Sequence, residues 1–255
     1  MAELVQEVPA ARSEALSALL RVAIVPAFNE EDSVVRVIDE IRAFDPELEI
    51  VVVDDGSTDR TSAVAEARGA HVLRLPFNIG IGGAVQTGFR YAFERGFQLA
   101  VRIDGDGQHD PAQLAALIEP VLAGRADIAV GSRFGGERGY RSSRSRRLGI
   151  TILAGTVSAL VRRRVTDPTS GFQALNRAAI ALFAADYPHD YPEVEAQVMV
   201  FKHRLRLVEV PVTMRERSAG RSSIGAAASV YYMVKVSLAI VVAMFRRTTV
   251  PLEER

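Results

Sequence analysis

The sequence contains no cysteine, and this absence excludes disulfide bonds, thiolate metal sites and cysteine nucleophiles together. Such a composition is consistent with a reducing compartment. The chain also has no formal net charge, because 31 basic side chains balance 31 acidic ones, so nothing indicates bulk attraction to nucleic acid. At the N-terminus no basic stretch precedes an apolar core, and we therefore expect no signal peptide.

Apolar runs and amphipathic segments alternate along the first half of the chain. With 255 residues, 48% of them hydrophobic, the chain is long enough for one large α/β domain, which we favour over two small ones. Pro26 is expected to end the first strand and Asn29 or Glu30 to open the helix after it; Ser57 or Thr58 is expected to cap the second helix. Strands are predicted at residues 21–25, 50–53, 71–75, 98–103 and 127–130. This alternation predicts a doubly wound, mostly parallel sheet of the α/β class.

Acidic and glycine-rich turns follow several of these strands. The most informative is DGDGQH, in which Asp104 and Asp106 come directly after the fourth predicted strand. Two carboxylates one residue apart suit a hard divalent cation whose other ligands are water and phosphate oxygens. A surface turn is the plain alternative, because Asp and Gly are common in any tight turn. Since the other acidic and glycine-rich turns also follow strands, and ligands bind at the carboxyl edge of such sheets, we expect one shared metal-diphosphate site there.

Two other phosphate- or metal-binding motifs do not fit the sequence. The segment NIGIGG has the spacing G-x-G-G, follows the third strand, and has no Walker ending of Lys and Ser or Thr, which argues against dinucleotide and P-loop sites. Residues 54–59 lack the later ligands of a calcium loop, including the glutamate at the twelfth position.

Seven short motifs, in this order, resemble the family 2 glycosyltransferases of GT-A fold. Within that family the likeness is to the dolichol-phosphate mannosyltransferase and polyprenyl-phosphate glycosyltransferase branch, and it covers about residues 22–223. The motifs are PAFNEE (26–31), VVVDDGSTD (51–59), NIGIGGA (78–84), DGDGQH (104–109), GSR (131–133), DPTSGF (167–172) and VPVTMRERSAGRSS (210–223). The resemblance implies a GT-A sheet flanked by helices.

The resemblance also implies roles for particular residues. The nucleotide sugar is expected to contact Pro26, Phe28, Glu30, Asp55, Asp104, Asp106, Arg133 and Arg217. Asp104, Asp106 and Gln108 are expected to ligate Mg²⁺ or Mn²⁺. The catalytic group is expected to be Asp104, Asp106, Arg133, Arg146 and Arg217, and the acceptor side Arg146, Asp167, Ser170 and Glu195. Helix capping is the plain alternative for Asp167, and Glu193 is an alternative to Glu195 as a general base.

One position departs from the family pattern. Ser223 stands where the mannosyltransferases usually have lysine, which removes a fixed positive charge unless Arg221 substitutes for it. The donor base and the sugar therefore stay open.

A basic run bears on the acceptor. Between residues 133 and 147 there are six arginines against the single Glu137. A hydroxyl acceptor requires a general base, whereas a lipid phosphate is already anionic and mainly needs to be positioned between cations. The part of this run at residues 138–147 favours the lipid phosphate, with a mobile, solvated loop as the alternative.

Two apolar stretches bear on membranes. Residues 148–161 are too few to span a bilayer and predict a buried or interfacial helix. Residues 226–245 are long enough, but Lys235 lies near their middle, so we expect an interfacial helix there. A span and a core or dimer helix remain open. The expected organisation is an N-terminal lead-in (1–20), the GT-A domain (21–223) and a C-terminal apolar helix with a basic tail (224–255).

These features predict an inverting, metal-dependent glycosyltransferase. It would move a hexose from a GDP-mannose or UDP-glucose type of donor to a polyprenyl phosphate, as a peripheral protein at the cytoplasmic face of the membrane. One alternative is transfer to a glycan hydroxyl in cell-surface polysaccharide synthesis. A sugar nucleotidyltransferase is less favoured, since that class has a glycine-rich, basic loop after the first strand, and a non-catalytic binding module is least favoured. A homo-oligomer or a membrane-protein partner stays open, and no nucleic acid partner is expected.

Overall fold

The computed structural model describes residues 19–134, 144–161, 163–189, 191–215 and 235 of the chain. Strands and helices alternate through most of this length. In chain order the elements are β1 (Arg21–Ala27), α1 (Val34–Phe44), β2 (Glu49–Asp54), α2 (Thr61–Ala67), β3 (His71–Arg74), α3 (Ile81–Glu94), β4 (Leu99–Arg102), a 3₁₀ turn (Pro111–Gln113), α4 (Leu114–Leu122), β5 (Ile128–Ser132), α5 (Arg144–Val161), β6 (Gln173–Asn176), α6 (Arg177–Ala185), α7 (Pro192–Lys202) and β7 (Leu207–Pro211).

The strands form one seven-stranded sheet in the order β3-β2-β1-β4-β6-β5-β7. All neighbours are parallel except β6, which runs antiparallel to both β4 and β5. The predicted fold class, a mostly parallel α/β sheet flanked by helices, is confirmed. The sequence analysis identified neither β6 nor β7.

Helices cover both faces of the sheet, and the strand sequences reflect this. In β2, Val51 and Val53 belong to one buried apolar cluster, whereas Ile50 and Val52 belong to another. Successive residues of a strand point to opposite faces, so a strand covered on both sides must be apolar at every position. This explains the uninterrupted run IVVV.

The predicted end of the first strand was wrong by two residues. Pro26 does not stop β1, which continues to Ala27 and pairs with β2 through Pro26 and Val53. A proline lacks the N–H that a sheet ladder uses. Here β1 and β4 pair only as far as Ile24 and Arg102, so the missing donor falls beyond the end of that ladder.

The starts of the first two helices also differ from the prediction. Helix α1 begins at Val34, not at Asn29 or Glu30. Asn29 has a φ of +54°, outside the right-handed helical region, and the backbone N–H groups of residues 29–31 donate to the side chains of Ser57, Thr61 and Asp59, which join this loop to the one after β2. Ser57 does not cap α2, since its Oγ accepts from Asn29 N at 2.9 Å. The backbone N–H of Thr61, the first residue of α2, instead donates to Asp59 Oδ1 at 2.9 Å.

The apolar stretch predicted at residues 148–161 lies within the longer helix α5. Its side chains Leu153, Val157 and Val161 pack against Val194 and Val198 of α7, so one face of the helix is buried. No helix in the described part of the chain has the length and apolar character needed to cross a membrane. The C-terminal segment 224–255, with the interfacial helix predicted at residues 226–245, lies outside the described residues except for Lys235.

Candidate active site

A cleft opens at the carboxyl edge of the sheet, where β1, β2 and β4 end and α3 begins. Its volume is about 420 Å³. The lining residues are Pro26, Ala27, Phe28, Glu30, Asp55, Asn78, Gly80, Ile81, Ala84, Asp104, Gly105 and Asp106. Six of the residues predicted to contact a nucleotide sugar thus lie together in one cleft: Pro26, Phe28, Glu30, Asp55, Asp104 and Asp106. Their chemical roles stay predictions.

Asp55 shapes one wall of the cleft by holding the glycine-rich loop. Its two carboxylate oxygens accept from the backbone N–H groups of Ile79 and Gly80 at 2.8 and 3.0 Å. Gly56 makes this close approach feasible, because it has a φ of +73° and a Cβ there would lie 2.6 Å from the carbonyl carbon of Phe77. The loop leads directly into α3, whose N-terminus lies beside the cleft. Backbone N–H groups at a helix N-terminus favour a bound anion.

Arg102 lies beneath the two aspartates, and the sequence analysis did not identify it. The side chain is almost fully buried; its Nη2 donates to Glu193 Oε1 at 2.7 Å and lies 3.2 Å from Asp104 Oδ1. Nη1 donates to the Tyr187 hydroxyl at 3.2 Å. Burial by itself would lower the pKa of Arg102, but Asp104, Tyr187 and Glu193 outweigh it and raise that pKa. The guanidinium therefore stays charged and fixes one oxygen of Asp104. In the sequence, Arg102 is marked only as a single charge inside an apolar strand, AVRI.

His109 supports the backbone of Asp104 from the other side. The ring is buried and stacks on Phe172, with 4.9 Å between the ring centroids. Its Nδ1 accepts from the backbone N–H of Asp104 at 3.1 Å. Burial is the main reason why the pKa of His109 is lowered, so the ring is neutral and serves as an acceptor.

The turn that carries Asp106 is fixed by backbone contacts. Asp106 Oδ1 accepts from the N–H of Gln108 at 3.0 Å, and Gly107 has a φ of +73°. The carbonyl of Gln108 accepts from the N–H of Arg215 at 2.9 Å. Arg215 also binds Glu40 and Asp110 through its guanidinium, which ties the end of the described chain to this turn. Arg217 lies two residues further on, outside the described residues.

The donor set fits a magnesium or manganese ion that is shared with a phosphate ligand. Asp104 and Asp106 flank Gly105 and both line the cleft. Among the described residues no group of three His, Cys, Asp or Glu side chains could hold a metal by itself. Mg²⁺ commonly binds through one or two carboxylates and takes its other ligands from water and substrate phosphates, so two carboxylates suffice.

Arg133 and Asp167, predicted for the donor and the acceptor side, bind each other. The guanidinium makes a two-pronged ion pair, with Nε to Oδ2 at 2.7 Å and Nη2 to Oδ1 at 2.6 Å. The backbone N–H of Arg133 also donates to Asp167 Oδ2 at 3.1 Å. Asp167 is fully buried and Arg133 is 8% exposed. No described helix begins at Asp167, so its carboxylate positions Arg133 and does not cap a helix.

The remaining predicted residues are only partly accounted for. Ser170 is buried, and its Oγ accepts from the N–H of Phe172 at 3.4 Å. Glu193, the other candidate base, binds Arg102, and Glu195, two residues further along α7, is half-buried. The backbone of Arg146 lies in α5, and its side chain is outside the described part of the structure.

Comparison with known proteins defines the family. The family model described as "Glycosyl transferase family 2" matches residues 22–183. The polyprenol monophosphomannose synthase of Mycolicibacterium smegmatis is 32% identical over 209 residues, which cover 78% of each chain. The undecaprenyl-phosphate mannosyltransferase of Micrococcus luteus is 34% identical, over 78% of this chain and 85% of its own. The chain belongs to the family 2 glycosyltransferases and is a transferase of that kind.

Solved structures agree with the fold. The glucosyl-3-phosphoglycerate synthase of Mycobacterium tuberculosis superposes with a TM-score of 0.70 at 23% identity, over 92% of this chain and 84% of that one. A second structure of that enzyme, with a TM-score of 0.69, contains Mn²⁺, UDP and glucosyl-3-phosphoglycerate. At this identity the likeness supports the shared GT-A architecture alone.

Proposed function

We propose that this protein transfers a hexose from a nucleotide sugar to a polyprenyl phosphate. The observation that carries the proposal is the cleft in which Asp104 and Asp106 meet the glycine-rich loop, in a chain whose relatives include polyprenyl-phosphate mannosyltransferases. The nucleoside would lie against Phe28 and Asp55, on the β1 and β2 side. The diphosphate would lie between the two aspartates and the N-terminus of α3.

The two aspartates would hold Mg²⁺ or Mn²⁺ together with the donor diphosphate. When bound, the cation supplies positive charge that stabilises the leaving diphosphate. Arg102 orients Asp104 and adds a positive charge beside it, because its guanidinium lies 3.2 Å from that carboxylate. Arg133 and, by resemblance, Arg217 would add positive charge near the diphosphate. In this arrangement the Arg133 guanidinium would contact the diphosphate while it keeps its ion pair with Asp167.

The acceptor would approach from the side of β6 and α7, opposite the nucleoside. A phosphate acceptor is already anionic, so no carboxylate has to remove a proton from it. Glu193, one of the two candidate bases, accepts a hydrogen bond from Arg102 at 2.7 Å, so this carboxylate is already engaged within the protein. Attack on the sugar from the face opposite the diphosphate would invert the anomeric centre. These points favour lipid phosphate over a glycan hydroxyl.

We further propose that the protein works at the cytoplasmic face of the membrane, where a polyprenyl phosphate presents its head group. The predicted basic run 138–147, with Arg146 at the acceptor, would face anionic lipid there.

The acceptor class is tested by offering matched acceptors with a panel of GDP- and UDP-hexoses. Polyprenyl phosphate should become labelled, whereas the polyprenol of the same chain length, which lacks the phosphate, should not. Labelling of the polyprenol alone would show that a hydroxyl is the nucleophile, and equal labelling of both would show that the enzyme does not select for the phosphate. Labelling of a glycan alone would favour polysaccharide synthesis, and the donor that labels identifies the base and the sugar.

A further inference from the structure

A second cavity lies at the far edge of the sheet, beside β7. Its volume is about 340 Å³, and none of its described lining residues belongs to the donor cleft. It lies between the ends of α5 and α7 and the first half of β7, and we call it the arginine pocket. Its charged lining residues are Arg163, Arg164, Arg204, Arg206 and Glu209.

The positive charge of the arginine pocket is only partly neutralised by the protein. Arg206 pairs with Asp127 at 2.9 Å. Glu209 is already engaged, because Oε1 accepts from the N–H groups of Thr166 and Asp167 at 2.8 and 2.9 Å. The structure gives Arg163, Arg164 and Arg204 no ion pair with any described residue, and all three are exposed. Three guanidinium groups around one cavity favour an anion, and a phosphate group offers several oxygens that their planar donors can bind in pairs.

A buried amide in the same cavity provides a second, independent observation. Gln197 is 5% exposed and lines the arginine pocket. Its Nε2 donates to the carbonyl of Asp167 at 3.4 Å, but its Oε1 is buried without a hydrogen-bond partner among the described residues. A buried acceptor without a donor is costly, so a ligand that brings a hydroxyl group or a water molecule would satisfy it.

The rest of the lining is apolar. Val161, Val165, Val200, Leu205 and Leu207 form its walls, and Phe201, which is 38% exposed, stands at its edge. The three valines and Leu205 are already buried, but Leu207 is half-buried and Phe201 is exposed. A free inorganic ion would leave Leu207 and Phe201 in contact with water, whereas a hydrocarbon chain would cover them. The cavity therefore combines the features of a site for an anionic head group that is joined to an apolar chain.

We propose that the arginine pocket binds the phosphate group of an anionic amphiphile, with the hydrocarbon chain against Phe201 and Leu207. This inference does not depend on the proposed transferase reaction, because binding here needs neither donor nor metal. The ligand would also contact the back of the active site, since Gln197 and Glu209 both bind the backbone of Asp167, which holds Arg133.

Octyl phosphate is the probe for the first test, with octanol and inorganic phosphate as matched ligands that lack one half of it. Calorimetric titration of the full chain should show the tightest binding for octyl phosphate. The triple variant Arg163→Gln, Arg164→Gln, Arg204→Asn should bind it at least roughly tenfold more weakly, because exposed charge contacts each contribute a few-fold. Asn is chosen at position 204 because the backbone there has a φ of +58°, which Asn tolerates.

A charge-matched control keeps the test specific. Arg42, Arg90 and Arg95 are exposed arginines outside the pocket, so their triple Gln variant loses the same charge and should bind like the wild type. Equal weakening in both triple variants would reduce the effect to net charge and overturn the proposal. Unchanged binding of octyl phosphate by the pocket variant would also overturn it. If inorganic phosphate binds as tightly as octyl phosphate, the apolar side chains do not contribute to binding, and that part of the proposal is wrong.

Two further measurements distinguish a membrane lipid from a soluble phosphate ester, and the arginine pocket from the donor cleft. If a membrane lipid is the ligand, vesicles that contain phosphatidylglycerol should retain the wild type but not the pocket variant. If the vesicles retain neither protein while the wild type still binds octyl phosphate, the ligand is a soluble phosphate ester. Hydrogen exchange should show protection by octyl phosphate at residues 161–165 and 200–207. Protection only near residues 104–109 would assign the binding to the acceptor side of the donor cleft. If the wild type shows this protection but transfers no sugar from any donor, only the transferase proposal is refuted.

Discussion

The ion pair between Asp167 and Arg133 should be one of the most sensitive points of the structure. Replacing Asp167 with Asn keeps the shape of the side chain but leaves the Arg133 guanidinium buried beside a neutral amide. Asp167 is fully buried, so water cannot replace the lost charge. Removing one partner of a buried ion pair typically costs about 3–5 kcal/mol in the free energy of unfolding. We expect Asp167→Asn to fall within that range.

Asp39 provides the matched control. It pairs with Arg68 at the surface, where the two side chains are 47% and 49% exposed. Exposed pairs contribute about 0–1 kcal/mol, so Asp39→Asn should change stability by less than about 1 kcal/mol. Urea unfolding followed by circular dichroism measures both. With a slope of about 3 kcal/mol per molar urea, at the upper end for small proteins, Asp167→Asn should lower the midpoint by about 1 M or more.

Equal midpoints for the two variants would refute this reasoning. A different outcome would be informative as well. If Asp167→Asn unfolds like the wild type but loses sugar transfer, the carboxylate serves the acceptor, as the family resemblance implied, and the ion pair is not its main role.

The remaining predictions concern the cleft, a glycine in a helix, and acid stability. Asp106→Ala should abolish sugar transfer while the thermal midpoint stays near that of the wild type. Asp104→Ala should abolish transfer as well but lower the midpoint, because it removes one of the two carboxylates that pair with the buried Arg102; normal turnover in either variant would remove the metal assignment. Gly82→Ala should lower the free energy of unfolding by about 1–3 kcal/mol, because the new Cβ would collide with the carbonyl of Pro188. Gly155 lies in a helix with open space around it, so Gly155→Ala should raise the free energy of unfolding by up to about 1 kcal/mol in the same urea assay. Burial would raise the pKa of Asp127, but its bonds to Arg206 and Asn176 outweigh this and lower that pKa, so its stabilising contribution is present above the unfolded carboxyl pKa and is lost as the pH falls below it. Asp127→Asn should therefore flatten the loss of thermal stability below about pH 4, and an unchanged acid profile would contradict that assignment.

Much of the fold and of the cleft could be predicted from the sequence. The uninterrupted apolar run of β2 indicated a strand covered on both faces, and the acidic and glycine-rich turns after β2, β3 and β4 indicated one ligand edge. These signals are local, and the rule that parallel strands end at one edge brings them together. Asp55 and Asp104, 49 positions apart in the sequence, consequently line one cleft.

What could not be predicted depends on distant contacts. Arg102 is marked in the sequence only as one charge inside an apolar strand, and its role could not be predicted because its partners Tyr187 and Glu193 come from the second half of the chain. Strand β6 is four residues long and antiparallel, and nothing in the sequence QALN distinguishes it from the start of a helix. The end of β1 was placed too early for a related reason, since a proline is tolerated where the neighbouring strand has already ended.

The central claim is that the two-aspartate cleft transfers sugar to a lipid phosphate with the help of a divalent cation. The most direct measurement is the transfer of radiolabelled hexose from its nucleotide to polyprenyl phosphate, with Mn²⁺ or Mg²⁺ and then with a chelator. We predict that label enters the lipid phase, disappears with the chelator and returns when the cation is restored. Lipid labelling that persists in the chelator, or donor hydrolysis with no lipid labelled by any donor, would contradict the account.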